Sequence, residues 1–213
     1  MGTLRENLRL YLVTDPQLCS DLGLIETVRR AVAGGVTMVQ LRDKTATTSA
    51  RIEMAKALKQ ALAGTGVSIV INDDVNAAIA ADVDGVHIGQ GDMSVSNARA
   101  ILGPDKILGL SCETPETVQA ADATNVDYLG LGPVFGTTTK TDHERPIGFD
   151  GLARLVALSS LPNVAIGGLK APHINDVFAS GADGMAVVSA ICGQPDPNAA
   201  ARAFYVKNPE HTS

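Results

Sequence analysis

The sequence predicts an α/β protein, one (β/α)8 barrel of the TIM type built on a parallel sheet. Three observations carry that expectation. Short apolar runs bounded by Gly, Asn or Asp recur eight times, with helical patterns between them. A weak internal repeat pairs these units two by two. Aromatic residues make up only 3% of the chain, with no Trp, so the core must be layered from small and β-branched side chains, as in a parallel sheet covered by helices.

The strands are expected, in order, at Arg9–Thr14, Met38–Arg42, Ser68–Ile71, Gly85–Ile88, Ile107–Ser111, Tyr128–Gly132, Val164–Gly167 and Met185–Ser189. Amphipathic or Ala-rich stretches such as Leu24–Val32, Ser49–Leu62, Pro115–Ala123 and Pro172–Ala179 supply helices between them. Eight such units close a barrel. The repeat is AGGVTMVQLR (33–42), AADVDGVHIG (80–89), ATNVDYLGLG (123–132) and ASGADGMAVV (179–188). In each copy a helix ends, a small or turn residue follows, then Val or Ala, then Asp or Thr, then a strand. An open doubly wound sheet is the competing architecture. It usually has five or six strands and a Gly-rich turn after the first, whereas here the first strand runs into Thr14-Asp15-Pro16.

The chain has no linker or low-complexity stretch, so residues 1–213 read as a single barrel domain, with an ordered core over about 8–206 and a tail over 207–213. Its one long polar connection is Gly136–Gly148. A net charge of −6 argues against nucleic acid or an anionic membrane as partner. No apolar run approaches the ~20 residues of a bilayer span, and the N-terminus lacks a signal-peptide pattern. Cys19, Cys112 and Cys192 are too few and too scattered for a disulfide framework. A reduced, cytoplasmic protein is expected.

In such a barrel, function sits where the strands end. Gln40, Arg42 and Lys44 are spaced by two and so share one face of the second strand. Arg42, Lys44 and Lys140 converging on one mouth call for an anion between them, a phosphate or diphosphate. The plainer reading gives Arg42 and Lys44 rim salt bridges with Asp43 or Asp15. Asp73 and Asp92 end adjacent strands and, with Asn72 and a diphosphate, make a hard oxygen site for Mg²⁺. Either Asp74 or Asp92 could instead cap a helix. Gly167-Gly168 with Val188-Ser189 offers backbone N–H groups to a second phosphate after the seventh and eighth strands. His87 reads as a packed interior residue, and Cys112 as a small buried one. The Thr-rich loop with Lys140 reads as a lid over two anion sites, which together suggest transfer of a phosphorylated group.

The strings QLRDK (40–44), IND (71–73), DGVHIGQGD (84–92), GPVFGTTTK (132–140), AIGG (165–168) and VSAI (188–191) resemble, in order, the thiamine phosphate synthase family. The resemblance runs from Tyr11 to about Gly193. It implies a barrel enzyme that condenses a hydroxymethylpyrimidine diphosphate with a thiazole phosphate, or its carboxylate, to give thiamine phosphate and pyrophosphate by a dissociative route. By the same resemblance, Gln40, Leu41, Arg42, Asp43, Lys44, Asn72, Ser111 and Lys140 hold the pyrimidine diphosphate. Thr137, Thr138, Thr139, Gly168, Val188 and Ser189 hold the thiazole phosphate. Asp73 and Asp92 bind Mg²⁺, and Arg42, Lys44 and Lys140 act on the departing diphosphate. Partners would be phosphorylated small molecules, with a small homo-oligomer implied. The chain departs from the family pattern at Glu113, where a His is common, and in the segment holding His143 and Arg145. A thiazole tautomerase, a Schiff-base aldolase using Lys140 and a non-catalytic binder are the competing readings; the tautomerase lacks the complete diphosphate and metal set present here.

Overall fold

The structure is a computed structural model describing residues 3–136 and 145–205. Eight strands form a closed, all-parallel barrel in chain order: β1 (Leu10–Val13), β2 (Met38–Leu41), β3 (Ser68–Asn72), β4 (Gly85–Ile88), β5 (Ile107–Cys112), β6 (Tyr128–Leu131), β7 (Asn163–Ala165) and β8 (Met185–Val187), with β8 pairing β1. The helices are α1 (Leu4–Asn7), α2 (Leu24–Ala33), α3 (Thr48–Ala61), α4 (Val75–Ala80), α5 (Val95–Leu102), α6 (Pro115–Ala120), α7 (Gly148–Val156), α8 (Ile174–Ala179) and α9 (Pro197–Arg202). A 3₁₀ turn, Ala171–His173, leads into α8. Among the described residues no helix is long and apolar enough to cross a membrane.

The sheet sorts its side chains by alternation. Outward-facing Leu12, Val39, Leu41, Ile71, Val86, Leu108 and Leu129 pack under the helices in one large buried cluster. Inward-facing Tyr11, Met38, Val70, Tyr128, Val164 and Ala186 form a second, inside the barrel, with Leu8 closing the end where the strands begin. Layers of inward side chains fill a barrel of this size, leaving its other end free to carry loops.

The internal repeat has a physical meaning. Its Asp or Thr positions are Thr37, Asp84, Asp127 and Asp183. Each accepts a hydrogen bond from the first or second backbone N–H of the preceding strand: Leu10 to Thr37 Oγ1 at 2.9 Å, Ile69 to Asp84 Oδ2 at 2.7 Å, Leu108 to Asp127 Oδ2 at 2.7 Å and Asn163 to Asp183 Oδ2 at 2.8 Å. These bonds satisfy a donor that the ladder leaves open, and they clamp the strands in pairs at their N-terminal ends.

Several boundaries differ from expectation. β7 starts at Asn163 and stops at Ala165, because Gly167 and Gly168 take positive φ values of 90° and 66° and turn the chain out of the ladder. β8 stops at Val187, because the Val188 carbonyl already accepts the N–H groups of Ile191 and Cys192 in a helical turn. α4 and α5 are short helices that periodicity alone does not reveal. Their caps define them: Asp74 accepts from Ala77 N, and Ser94 from Asn97 N.

Candidate active site at the barrel mouth

A cavity of about 880 Å³ opens where the strands end. Its lining brings together Gln40, Arg42, Lys44, Asn72, Asp73, Asp92, Ser111, Gly168, Val188 and Ser189, from six strands and their following loops. That volume lies near the upper end of ~300–1,000 Å³ typical of small-molecule sites. Leu41 and Asp43 do not line it. Leu41 alternates outward into the core beneath the helices, and Asp43 accepts from Thr45 and Ala46 in its own turn. Thr137, Thr138, Thr139, Lys140 and His143 lie outside the described residues.

The acidic side is built first by backbone. Asp73 has φ 64°, in the left-handed region uncommon for a residue with a side chain. Its carboxylate is gripped on both oxygens. Asn72 Nδ2 donates to Oδ1 at 2.8 Å, and Lys44 Nζ lies 2.6 Å from Oδ2. Burial, the largest influence, raises the Asp73 carboxyl above its ordinary value; the Lys44 hydrogen bond opposes that shift, and the adjacent Asp92 carboxylate adds to it. Asp92 is anchored by Gly89 N, which donates to its Oδ2 at 2.8 Å. Ser94, and not Asp92, caps the following helix.

The alternative of rim salt bridges to Asp43 or Asp15 does not hold for Lys44. Lys44 pairs with Asp73 across two strands, whereas Asp43 and Asp15 accept backbone N–H groups in local turns. The capping expectation holds for Asp74, which also pairs with Arg51 at 2.9 Å and turns away from the mouth.

Two like-charged carboxylates meeting beside a cation at a cavity wall form a hard oxygen donor set. Among the described residues no group of three His, Cys, Asp or Glu side chains could hold a metal ion. Mg²⁺ commonly needs only one or two protein carboxylates, with substrate oxygens and waters completing its shell, so the pair fits that ion.

On the other side, Gly168, Val188 and Ser189 line the cavity, and among the described residues their backbone N–H groups donate to no protein acceptor. Gly168 is required there twice over. Its φ is positive, and a Cβ would sit 2.7 Å from the Gly136 carbonyl oxygen. Backbone N–H groups left without protein acceptors at a cavity wall favour an anion.

The floor carries what the sequence reading passed over. His87 is buried at 7% exposure, as expected, yet it lines the cavity and both its ring nitrogens are bonded, to Tyr128 Oη at 2.8 Å and to Ser111 Oγ at 3.0 Å. Tyr11 and Tyr128 join the same network. The available signal was alternation: His87 sits between Gly85 and Gly89 on the inward face, opposite apolar Val86 and Ile88. Cys112 is buried as expected, and burial pushes its thiol up to about 11. Cys19 and Cys192, distant in sequence, are free, buried thiols, and Cys192 Sγ donates to the Val13 carbonyl at 3.9 Å.

The family model described as thiamine monophosphate synthase matches residues 10–191. Thiamine-phosphate synthase of Xanthobacter autotrophicus is 53% identical over 198 residues, covering 93% of this chain and 94% of that protein. The protein of that name from a Psychrobacter species is 54% identical over 197 residues, covering 91% and 92%. Among solved structures, thiamine phosphate pyrophosphorylase from Pyrococcus furiosus superposes with a TM-score of 0.86 at 37% identity, covering 95% of this chain and 96% of that one. With its closed parallel barrel and a match across most of its length, the chain belongs to the thiamine monophosphate synthase family of transferases.

Proposed function

We propose that the cavity joins an aminopyrimidine methyl diphosphate to a thiazole phosphate, or its carboxylate, releasing pyrophosphate and thiamine phosphate. The observation that carries this reading is the pairing of two unlike anion sites in one cavity. One wall offers Arg42 and Lys44 beside the Asp73 and Asp92 carboxylates; the other offers the N–H groups of Gly168, Val188 and Ser189, which among the described residues donate to no protein acceptor. A diphosphate with a divalent cation suits the first, and a monophosphate suits the second.

In this reading Gln40, Asn72 and Ser111 orient the pyrimidine diphosphate, with Arg42 giving a bidentate fork and Lys44 a point charge. Asp73 and Asp92 would hold Mg²⁺, which when bound neutralises charge on the leaving diphosphate. The bond between the pyrimidine methylene carbon and the diphosphate oxygen breaks, and its electron pair leaves with that oxygen. The thiazole nitrogen then donates its lone pair to the methylene carbon. Arg42 and Lys44 stabilise the diphosphate as its charge develops, and no side-chain nucleophile is needed. Thr137, Thr138, Thr139 and Lys140 enter this proposal on the sequence resemblance alone.

The test is product identification by mass spectrometry after incubation with both substrates and Mg²⁺. Thiamine phosphate should form only when both are present. Turnover of the thiazole phosphate alone, with no condensation product, would refute the reading.

A further inference from the structure

Four hydrogen bonds cross the cavity floor in series. Gln40 Nε2 donates to Tyr11 Oη at 2.7 Å, Tyr11 Oη meets Tyr128 Oη at 2.8 Å, Tyr128 Oη meets His87 Nδ1 at 2.8 Å, and His87 Nε2 meets Ser111 Oγ at 3.0 Å. The five residues come from β2, β1, β6, β4 and β5, and all are buried. Both ends, Gln40 and Ser111, face the cavity, while Tyr128 lies fully beneath it. The barrel reserves space for this series. A Cβ at Gly109 would lie 2.2 Å from Tyr128 Cζ and 2.5 Å from His87 Nδ1, and one at Gly130 would lie 3.2 Å from His87 Cε1.

The series has a direction. Burial holds both phenols above their ordinary values, so each keeps one proton to give. Gln40 donates through Nε2, so Tyr11 accepts there and its own proton goes to Tyr128. Tyr128 then donates to His87 Nδ1, which makes His87 the neutral Nε2–H tautomer. His87 Nε2 donates to Ser111 Oγ, whose proton is left for the cavity. This polarity gives both phenol protons and the His87 ring proton an acceptor; a break in the series strands one, at a cost of ~1–3 kcal/mol. Among the described residues no hydrogen bond reaches Gln40 Oε1.

We infer that Tyr11, Tyr128 and His87 are positioning residues, a relay that presents Gln40 to the cavity as an acceptor and Ser111 as a donor, and so selects an amino-substituted pyrimidine over its oxo counterpart. This rests on the cavity being the pyrimidine diphosphate site. An amino group donates to Gln40 Oε1 while Ser111 donates to a diphosphate oxygen. An oxo group requires the Gln40 amide to turn round. That reverses the whole series, sends the Ser111 proton back to His87, and removes the donor from the diphosphate. One wrong atom therefore disturbs both ends of the substrate.

The test compares kcat/KM for the amino and oxo pyrimidine diphosphates in the wild type and in Tyr128→Phe, which removes only the linking hydroxyl. The wild type should favour the amino substrate by at least about 100-fold, as expected of a site with buried groups left unpaired by the wrong ligand. Tyr128→Phe should lower that ratio about tenfold, mainly by improving the oxo substrate, since Gln40 can then turn alone. Tyr11→Phe serves if the first variant fails to fold. An unchanged ratio in a folded variant overturns the relay. A second readout is ¹⁵N NMR of histidine-labelled protein with Mg²⁺ and inorganic pyrophosphate, with His87→Asn assigning the signals. A neutral ring protonated at Nε2 supports the relay; an Nδ1–H tautomer or an imidazolium overturns its direction. Absence of product from either pyrimidine in the wild type would overturn the reading of the cavity and the selectivity with it, while the tautomer still decides the polarity.

Discussion

Replacing Gly109 with Ala adds one methyl group to β5 at a crowded point of the barrel interior. The new Cβ would lie 2.2 Å from Tyr128 Cζ, 2.4 Å from Tyr128 Cε1 and 2.5 Å from His87 Nδ1. Ordinary contact starts near 3.4 Å, so the ring must retreat by about 1 Å into a core where neighbours already touch. Overpacking of this kind costs ~1–3 kcal/mol. The displaced rings also lose or stretch the 2.8 Å bond between them, adding ~1 kcal/mol. A loss of about 2–4 kcal/mol in unfolding free energy is expected, with kcat/KM falling as His87 leaves its seat. The assay is urea denaturation against wild type and against Gly91→Ala, a control where a Cβ meets open space. A Gly109→Ala loss below about 0.5 kcal/mol would refute the claim that this glycine exists to seat the two rings.

Asp84→Ala removes the acceptor that clamps β3 to β4 at their N-terminal ends, so it should cost ~1–2 kcal/mol by urea midpoint and leave kcat/KM within about twofold. A large activity loss without destabilisation would contradict the structural role of the repeat. Asp73→Asn should lower kcat/KM by roughly 100-fold or more, the scale of losing one placed charge. It should not lower stability at pH 7: with the carboxyl held above its ordinary value, the folded state disfavours the ionised form, and Asn tolerates the positive φ. A stability drop beyond about 1 kcal/mol would contradict that balance. The cysteines Cys19, Cys112 and Cys192 are free and buried, so a thiol reagent should react slowly with native protein and count three thiols only in denaturant. Rapid stoichiometric reaction of the native protein would place a thiol at the surface.

The barrel was legible because its local rules agree: strand-length apolar runs, punctuating turn residues and a two-unit repeat point to one closure. The repeat could be seen as a spelling but not as a clamp, since the N–H that each Asp or Thr receives belongs to the preceding strand. At the site, two-residue spacing placed Gln40, Arg42 and Lys44 on one face, and strand ends placed Asp73 and Asp92 together. The partner of Lys44 was not legible, because Asp73 reaches it across the sheet from a left-handed backbone position. The floor was hidden for a related reason. Tyr11, His87 and Tyr128 are far apart in sequence, His87 reads by itself as core, and only barrel closure brings their polar atoms to 2.8 Å. Glycines gave the missing clue in negative: Gly109 and Gly130 are the space those rings fill.

The most direct test of the account is pyrophosphate release by the purified protein, measured with each substrate alone and with both, in Mg²⁺ and then in EDTA. The account predicts release that needs both substrates and the metal, and that Asp73→Asn suppresses even in Mg²⁺. Release that is unaffected by EDTA and by loss of the Asp73 carboxylate would contradict the assignment of the acidic pair and the mechanism built on it.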